Sequence, residues 1–242
     1  DEFGMLIAAD PMGQELGDVE RLLRESLRGL LIDDARPVDL DFAFGYAAKS
    51  QRTDTAAELV ERADLALAAA RAARSPSAVT YRPDMRSALV ARLRSEADLR
   101  DALDADRLLV YYQPIVTLPD HRLHSVEALA RMVTPTGEIV GPAGFIPRAE
   151  ELGLIGRLGL TVLNRALRDS NQISAVVGRD IPVSVNVSAA QVDESLPEIV
   201  FEALRAAGVP PQRLVLELTE TLLAERQDES GEVLDRIRAM GC

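Results

Sequence analysis

The stretch HSVEALARM, residues 124–132, decides how the second half of this chain is read. As an extended strand it sets Val126, Ala128 and Ala130 on one face and Ser125, Glu127 and Leu129 on the other. A carboxylate is almost never fully buried without a partner. Glu127 therefore either faces solvent at a strand end or awaits a cation.

Two further stretches repeat the pattern. Residues 183–188 place Val183, Val185 and Val187 opposite Ser184, Asn186 and Ser188. Residues 214–220 place Leu214, Leu216 and Leu218 opposite Val215, Glu217 and Thr219. Each strand thus has one continuous apolar face and one carboxylate or carboxamide side chain toward the C-terminal end of the other. Taken singly, each is an ordinary strand-end residue; together, on strands of parallel type, they suggest a shared site. In a β/α barrel the apolar face meets the helices and the C-terminal mouth carries the chemistry. Two nearby carboxylates repel unless one is protonated or a cation lies between them. Glu127, Asn186 and Glu217 offer carboxylate, amide and carboxylate oxygen, which suit Mg²⁺ or Mn²⁺ rather than Zn²⁺.

The chain has 242 residues, 47% hydrophobic and 27% charged, as expected of one or two soluble globular domains. Its net charge of −12 argues against nucleic acid or an anionic membrane surface as partner, since both want a basic patch. A small phosphate ligand needs only local cations. The single cysteine, Cys242, excludes internal disulfides and fits a reducing compartment. No run of about 18 apolar residues is present. A cytoplasmic location is expected, with a membrane tether elsewhere in a longer protein compatible with it.

Elements alternate along the chain, which predicts α/β layers. Phe3 to Ala8 reads as a strand, and Val19, Leu22, Leu23 and Leu27 follow at helical spacing. Val38 to Tyr46 alternates as a strand. Thr55 to Ala73 reads as a helix with a stripe of Leu59, Val60, Ala63, Leu67 and Ala70, and Ala78 to Tyr81 as a returning strand. From Pro83 to Arg107, Met85, Leu89, Leu93 and Ala97 predict a connecting helix. Beyond it come strands over 108–116 and 124–132, one or two helices over 148–170, the strand at 183–188, a helix over 196–207, the strand at 214–220 and a last helix over 229–240. Strand–helix alternation with Val-rich strands predicts parallel pairing in a doubly wound sheet or a β/α barrel.

The residues so reached resemble a known family. YYQPIV at 111–116, EALAR at 127–131, GFIPRAEELGLI at 144–155, SVNVSAAQ at 184–191 and LVLELTET at 214–221 look like the EAL domain of cyclic di-GMP phosphodiesterases, in matching order over almost all of 108–242. The resemblance implies a modified (β/α) barrel that hydrolyses one phosphodiester of cyclic di-GMP to linear pGpG. It implies Glu127, Asn186 and Glu217 as metal ligands, with Glu127 and Glu217 catalytic. Gln113 and Arg131 become substrate contacts, Arg131 to phosphate, and Glu220 anchors an active-site loop.

The first part is similar to a second family. Asp1, Glu2 and Phe3 look like the tail of the GGDEF motif of diguanylate cyclases; FAFGYA at 42–47 and RADLALAAARAA at 62–73 look like that domain's later strand and helix. Ala68 and Arg71 stand where that family usually has Tyr and Lys, which argues against cyclase activity. GTP remains a candidate ligand of this part.

The expected architecture is therefore the C-terminal half of a GGDEF α/β domain over 1–82, a linker helix over 83–107 and the first half of an EAL-type barrel over 108–242. A barrel typically needs roughly 250 residues, so the resemblance implies an internal piece of a tandem protein, itself inactive, whose parent is a homodimeric hydrolase. The family's later aspartate pair and lysine would follow Cys242; Asp33 and Asp34 lie in the wrong context. A half barrel exposes strand edges and is expected to self-associate. Alternatives are a non-catalytic cyclic di-GMP or GTP receptor and a bifunctional enzyme.

Overall fold

The computed structural model describes residues 3–6, 16–27, 42–49, 55–72, 78–118, 120–218 and 229–242. The chain divides into two compact units, residues 1–93 and 94–242. None of the described helices is long and apolar enough to cross a membrane.

In the first unit, helix α1 (Leu16–Leu27) precedes strand β1 (Gly45–Tyr46), helix α2 (Ala56–Ala72) and strand β2 (Val79–Thr80). β1 and β2 pair in parallel, Gly45 beside Val79. Val79 N–H donates to the Phe44 carbonyl at 2.9 Å and Tyr81 N–H to the Tyr46 carbonyl at 2.7 Å. A parallel pair needs a crossover, and α2 is that crossover. Its first turn is closed by a capping box: Thr55 N–H donates to Glu58 Oε2 at 2.7 Å, and Glu58 N–H donates to Thr55 Oγ1 at 3.3 Å. Gly45 lets β1 touch α2, since a Cβ there would stand 2.1 Å from the Leu67 nitrogen.

Several expectations change here. Of the strand expected over 38–46 only Gly45–Tyr46 form a ladder; 38–41 lie outside the described residues. Phe3 to Leu6 carry no strand, and Asp1, Glu2, residues 7–8 and the Asp33–Asp34 pair lie outside the described residues. Val60 is 61% exposed, although it stands in the expected stripe. Ala66 and Ala70 are the buried positions of α2, because a 3.6-residue turn carries residue 60 off the face shared by 59, 63, 66 and 70.

Helix α3 (Asp84–Asp104) runs from the first unit into the second. The four-residue spacing read from sequence holds at Met85, which is buried, and at half-buried Leu89, and fails further on: Leu93 and Ala97 are exposed, and Leu99, Ala102 and Leu103 are buried instead. Spacing by four drifts about 40° per step around a helix, so the true stripe alternates threes and fours.

The second unit holds strands β3 (Leu108–Val116), β4 (Leu123–Val133), β5 (Ile139–Val140), β6 (Val183–Val187) and β7 (Leu214–Leu218) in the order β3-β4-β6-β7, with β5 on the end of β4. β4, β6 and β7 are parallel, as the alternation predicts. β3 and β5 instead run antiparallel to β4. The reason is chain length: only residues 117–122 join β3 to β4, far too few for a crossover. Helices α4 (Ile146–Glu151) and α5 (Ile155–Val177) are separated by a turn with Gly153 at φ 67°. Helices α6 (Leu196–Ala207) and α7 (Glu229–Met240) match their expected limits.

The core forms on one side of this sheet. Val126, Ala128, Val183, Val185, Val187 and Leu214 meet Leu158, Val162, Ala166 and Leu167 of α5 and Val200 and Leu204 of α6. Val233 and Ile237 extend it through α7. Arg213 is 8% exposed at the entry to β7. It donates to Ser174 Oγ at 2.6 Å, the Ser170 carbonyl at 2.9 Å and Asn171 Oδ1 at 3.1 Å, and pairs with Asp180 at 3.3 Å. One guanidinium thereby ties α5 to the entry of β7, three elements later. The Tyr112 hydroxyl donates to Asp169 at 2.7 Å, joining β3 to α5; burial, then this carboxylate, pushes its pKa far up.

Three arginines clamp α3 and the turn that follows it to the helices of this unit. Arg148 pairs with Glu96 at 2.5 Å, Arg157 with Asp104 at 2.7 Å, and Arg165 with Asp106. Arg148 and then Arg100 donate to the Glu96 carboxylate and hold its pKa below the ordinary value.

Replacing Arg213 by Leu strips three acceptors of their donor inside the core, and the expected loss is about 2–3 kcal/mol in a denaturant titration. A depressed carboxylate contributes stability above its unfolded pKa and loses it as pH falls through the lower folded value. Melting temperatures of the wild type and Glu96→Gln should therefore differ most near neutral pH and converge below pH 4.5.

Candidate active site

The face of the sheet opposite the helical core carries the oxygen donors. Pairing places Gln113 of β3 beside Glu127 of β4, Glu127 beside Ser184 of β6, and Asn186 of β6 beside Glu217 of β7. Side chains paired across a ladder share a face. Gln113, Glu127, Ser184, Asn186 and Glu217 are therefore all on one side of four adjacent strands. They reach it because burial of Val126, Ala128, Val183, Val185, Leu214 and Leu216 on the other side leaves no alternative register.

Within this face Asn186 and Glu127 are in direct contact. Asn186 Nδ2 donates to Glu127 Oε1 at 2.8 Å, a diagonal contact between neighbouring parallel strands. Glu217 lies one strand further on, level with Asn186. Strand spacing of about 4.8 Å and a rise of about 3.3 Å per residue put the Cα atoms of Glu127 and Glu217 roughly 12 Å apart. Both side chains extend from the same face and narrow that gap, with Asn186 between them. Glu127 and Glu217 are half-buried and Asn186 is exposed.

Arg131 shares the face of Glu127, four residues along β4. Its guanidinium stands 5.3 Å from the centroid of the Tyr111 ring and donates to the Ala130 carbonyl at 2.8 Å. Tyr111 had no assigned part in the sequence reading. Its signal was its place two residues before Gln113, on the same face of an alternating strand. The aromatic face stacks the planar cation and restricts its swing. Glu220 lies outside the described residues.

The donor set is two carboxylates and one amide. Among the described residues no group of three or more His, Cys, Asp or Glu side chains could hold a metal. An amide turned by half a rotation offers Oδ1 where Nδ2 now meets Glu127, so Asn186 can switch from donor to ligand. These oxygens fit a hard divalent cation and offer no sulfur or imidazole to a softer one.

Sheet and face define a mixed α/β protein with an oxygen-donor site on the sheet surface opposite its helices. The EAL domain family profile matches residues 96–242, and the chain belongs to that family. Cyclic di-GMP phosphodiesterase NbdA of Pseudomonas aeruginosa is 31% identical over 242 residues, covering 100% of this chain and 31% of that protein. The solved PaMucR phosphodiesterase in complex with c-di-GMP superposes with a TM-score of 0.57 at 35% identity, covering 61% of this chain and 60% of the other. The Xanthomonas citri FimX EAL domain in complex with c-diGMP gives a TM-score of 0.57 at 27% identity, over 65% and 61%. The chain spans 24% to 31% of the length of the first curated relatives it matches.

Asn186→Asp would set a third carboxylate against Glu127 and force one acid to titrate upward. The variant should melt lower than the wild type at pH 7.5, by no more than about 1 kcal/mol at this exposed site. The deficit should close on acidification and on adding millimolar Mg²⁺, both read by scanning fluorimetry.

Proposed function

We propose that the complete gene product hydrolyses cyclic di-GMP to linear pGpG at this face, using Mg²⁺ or Mn²⁺. The observation that carries the reading is the convergence of Glu127, Asn186 and Glu217 on one face of three adjacent parallel strands, within the segment that matches the EAL family. Glu127, Asn186 and Glu217 are the proposed ligands, with Glu127 and Glu217 catalytic. A bound divalent cation supplies an acidified water and neutralises charge on the phosphoryl oxygens. Glu127 and Glu217 hold negative charge on either side of Asn186. Arg131, backed by Tyr111, offers a planar donor to a phosphate, where a charge-assisted hydrogen bond is strongest. Gln113, exposed on β3 beside Glu127, offers an amide to the ligand. Glu220 is the proposed anchor of a loop following β7.

We assign residues 1–82 to a GGDEF-like part, 83–107 to a connecting helix and 108–242 to the EAL-like part. The parallel β1–α2–β2 unit, with Gly45 against α2, supports the first assignment. GTP binding there and a homodimer of the complete protein belong to the same reading. A non-catalytic receptor is the second reading: Gln113 and Arg131 would contact the ligand without hydrolysing it, and the described acids at the site number two.

The complete protein should release pGpG from cyclic di-GMP with Mg²⁺ or Mn²⁺, followed by chromatography. Glu127→Ala should lower turnover by at least about 100-fold while leaving the ligand bound. Undiminished turnover in that variant would remove Glu127 from the site. Binding without turnover in the wild type would establish the receptor.

A further inference from the structure

Asn186 sits at the end of β6, and the chain immediately beyond it is held from three directions. Ser188 caps the 3₁₀ turn Ala189–Gln191, its Oγ accepting from Ala190 N–H at 3.2 Å. Gln191 returns the bond, its Oε1 accepting from Ser188 N–H at 3.0 Å. The Ser188 hydroxyl meanwhile donates to Glu150 Oε1 of α4 at 2.5 Å. The Gln191 side chain lies against α5 at Gly159, where a Cβ would stand 2.0 Å from its Nε2. α4 is itself fixed, because Arg148, two residues before Glu150, pairs with Glu96 of α3 at 2.5 Å.

We propose that Glu150, Ser188 and Gln191 are positioning residues that set the direction of Asn186 toward Glu127. This rests on the site reading above and adds to it three residues outside the donor set. A six-residue helix alone would not hold its place; α4 does so because Arg148 grips α3 while Glu150 grips Ser188. The peptide after Asn186 then has one orientation, because both partners of the Ser188 backbone and hydroxyl are themselves anchored. Gly159 is the small residue that gives Gln191 room to complete the box. Residues that orient a ligand-bearing side chain through hydrogen bonds commonly change metal affinity by about 10–100-fold when lost.

The test uses the 242-residue chain, deuterated and ¹⁵N-labelled. Its readout is the side-chain amide pair of Asn186, assigned by its disappearance in Asn186→Asp. In Ser188→Ala and in Glu150→Ala that pair should move toward the position of free asparagine amides, by the same amount in each variant and in the double variant. Ser188→Thr keeps the hydroxyl and should restore the wild-type position. Manganese should broaden the pair in the wild type, with an apparent affinity about 10-fold weaker in Glu150→Ala. Glu150 is exposed, so its removal leaves the folded state measurable even where Ser188→Ala does not fold. An unmoved Asn186 pair in a folded Glu150→Ala overturns the inference. Absence of broadening in the wild type overturns the metal reading instead, and the variant shifts then decide positioning by themselves.

Discussion

Burial of Val183, Val185 and Val187 against α5 ties β6 to a single register, and everything at the site follows from it. A strand alternates sides with a period of two, so a slip of one residue would send Asn186 into the core and a valine onto the open face. The energetic asymmetry is large. Each buried valine contributes about 1.5–3 kcal/mol by leaving water, whereas an amide buried without partners costs a comparable amount. The polar face is therefore the residue of hydrophobic burial on the other side. Because β4 and β7 take their registers from β6, the same constraint brings Glu127 and Glu217 to the flanks of Asn186.

The arginines perform a second task, that of joining elements the sheet does not reach. Arg213 links α5 to β7 from inside the core, and Arg148, Arg157 and Arg165 link α4 and α5 to α3 and the turn that follows it. These are different physical situations. Arg213 is enclosed, with three neutral oxygens and the Asp180 carboxylate around its terminal nitrogens, so its removal strands polar groups. The other three pair with acids open to solvent, where screening makes each pair worth little alone. Their combined effect is orientation: they fix a helix that the buried Leu99 and Leu103 already dock. The family match beginning at residue 96 agrees with this end of α3 belonging to the EAL unit.

Much of this was legible beforehand. Strict alternation in 183–188 and 214–218 identified both the buried face and the donor face, because a sheet covered on one side leaves that signature in any sequence. The helices at 196–207 and 229–240 have the limits expected from sequence, and in the structure the first ends at Gly208, in the left-handed region at φ 64°. Periodicity was weaker where burial is partial. Val60 and Leu93 are apolar but exposed, and no pattern of hydrophobicity separates a half-covered helix face from its edge.

By itself, the chain's order of residues determined which side chains can share a face, which segments are helical and which family the motifs resemble, since these depend on local spacing. Only the tertiary structure decided that β3 runs against β4, that Tyr111 stacks under Arg131, and that Glu150 reaches Ser188 across 38 positions. Those contacts join residues whose separation along the chain carries no period. Loop length, packing and the desolvation of charge choose them once the sheet has formed.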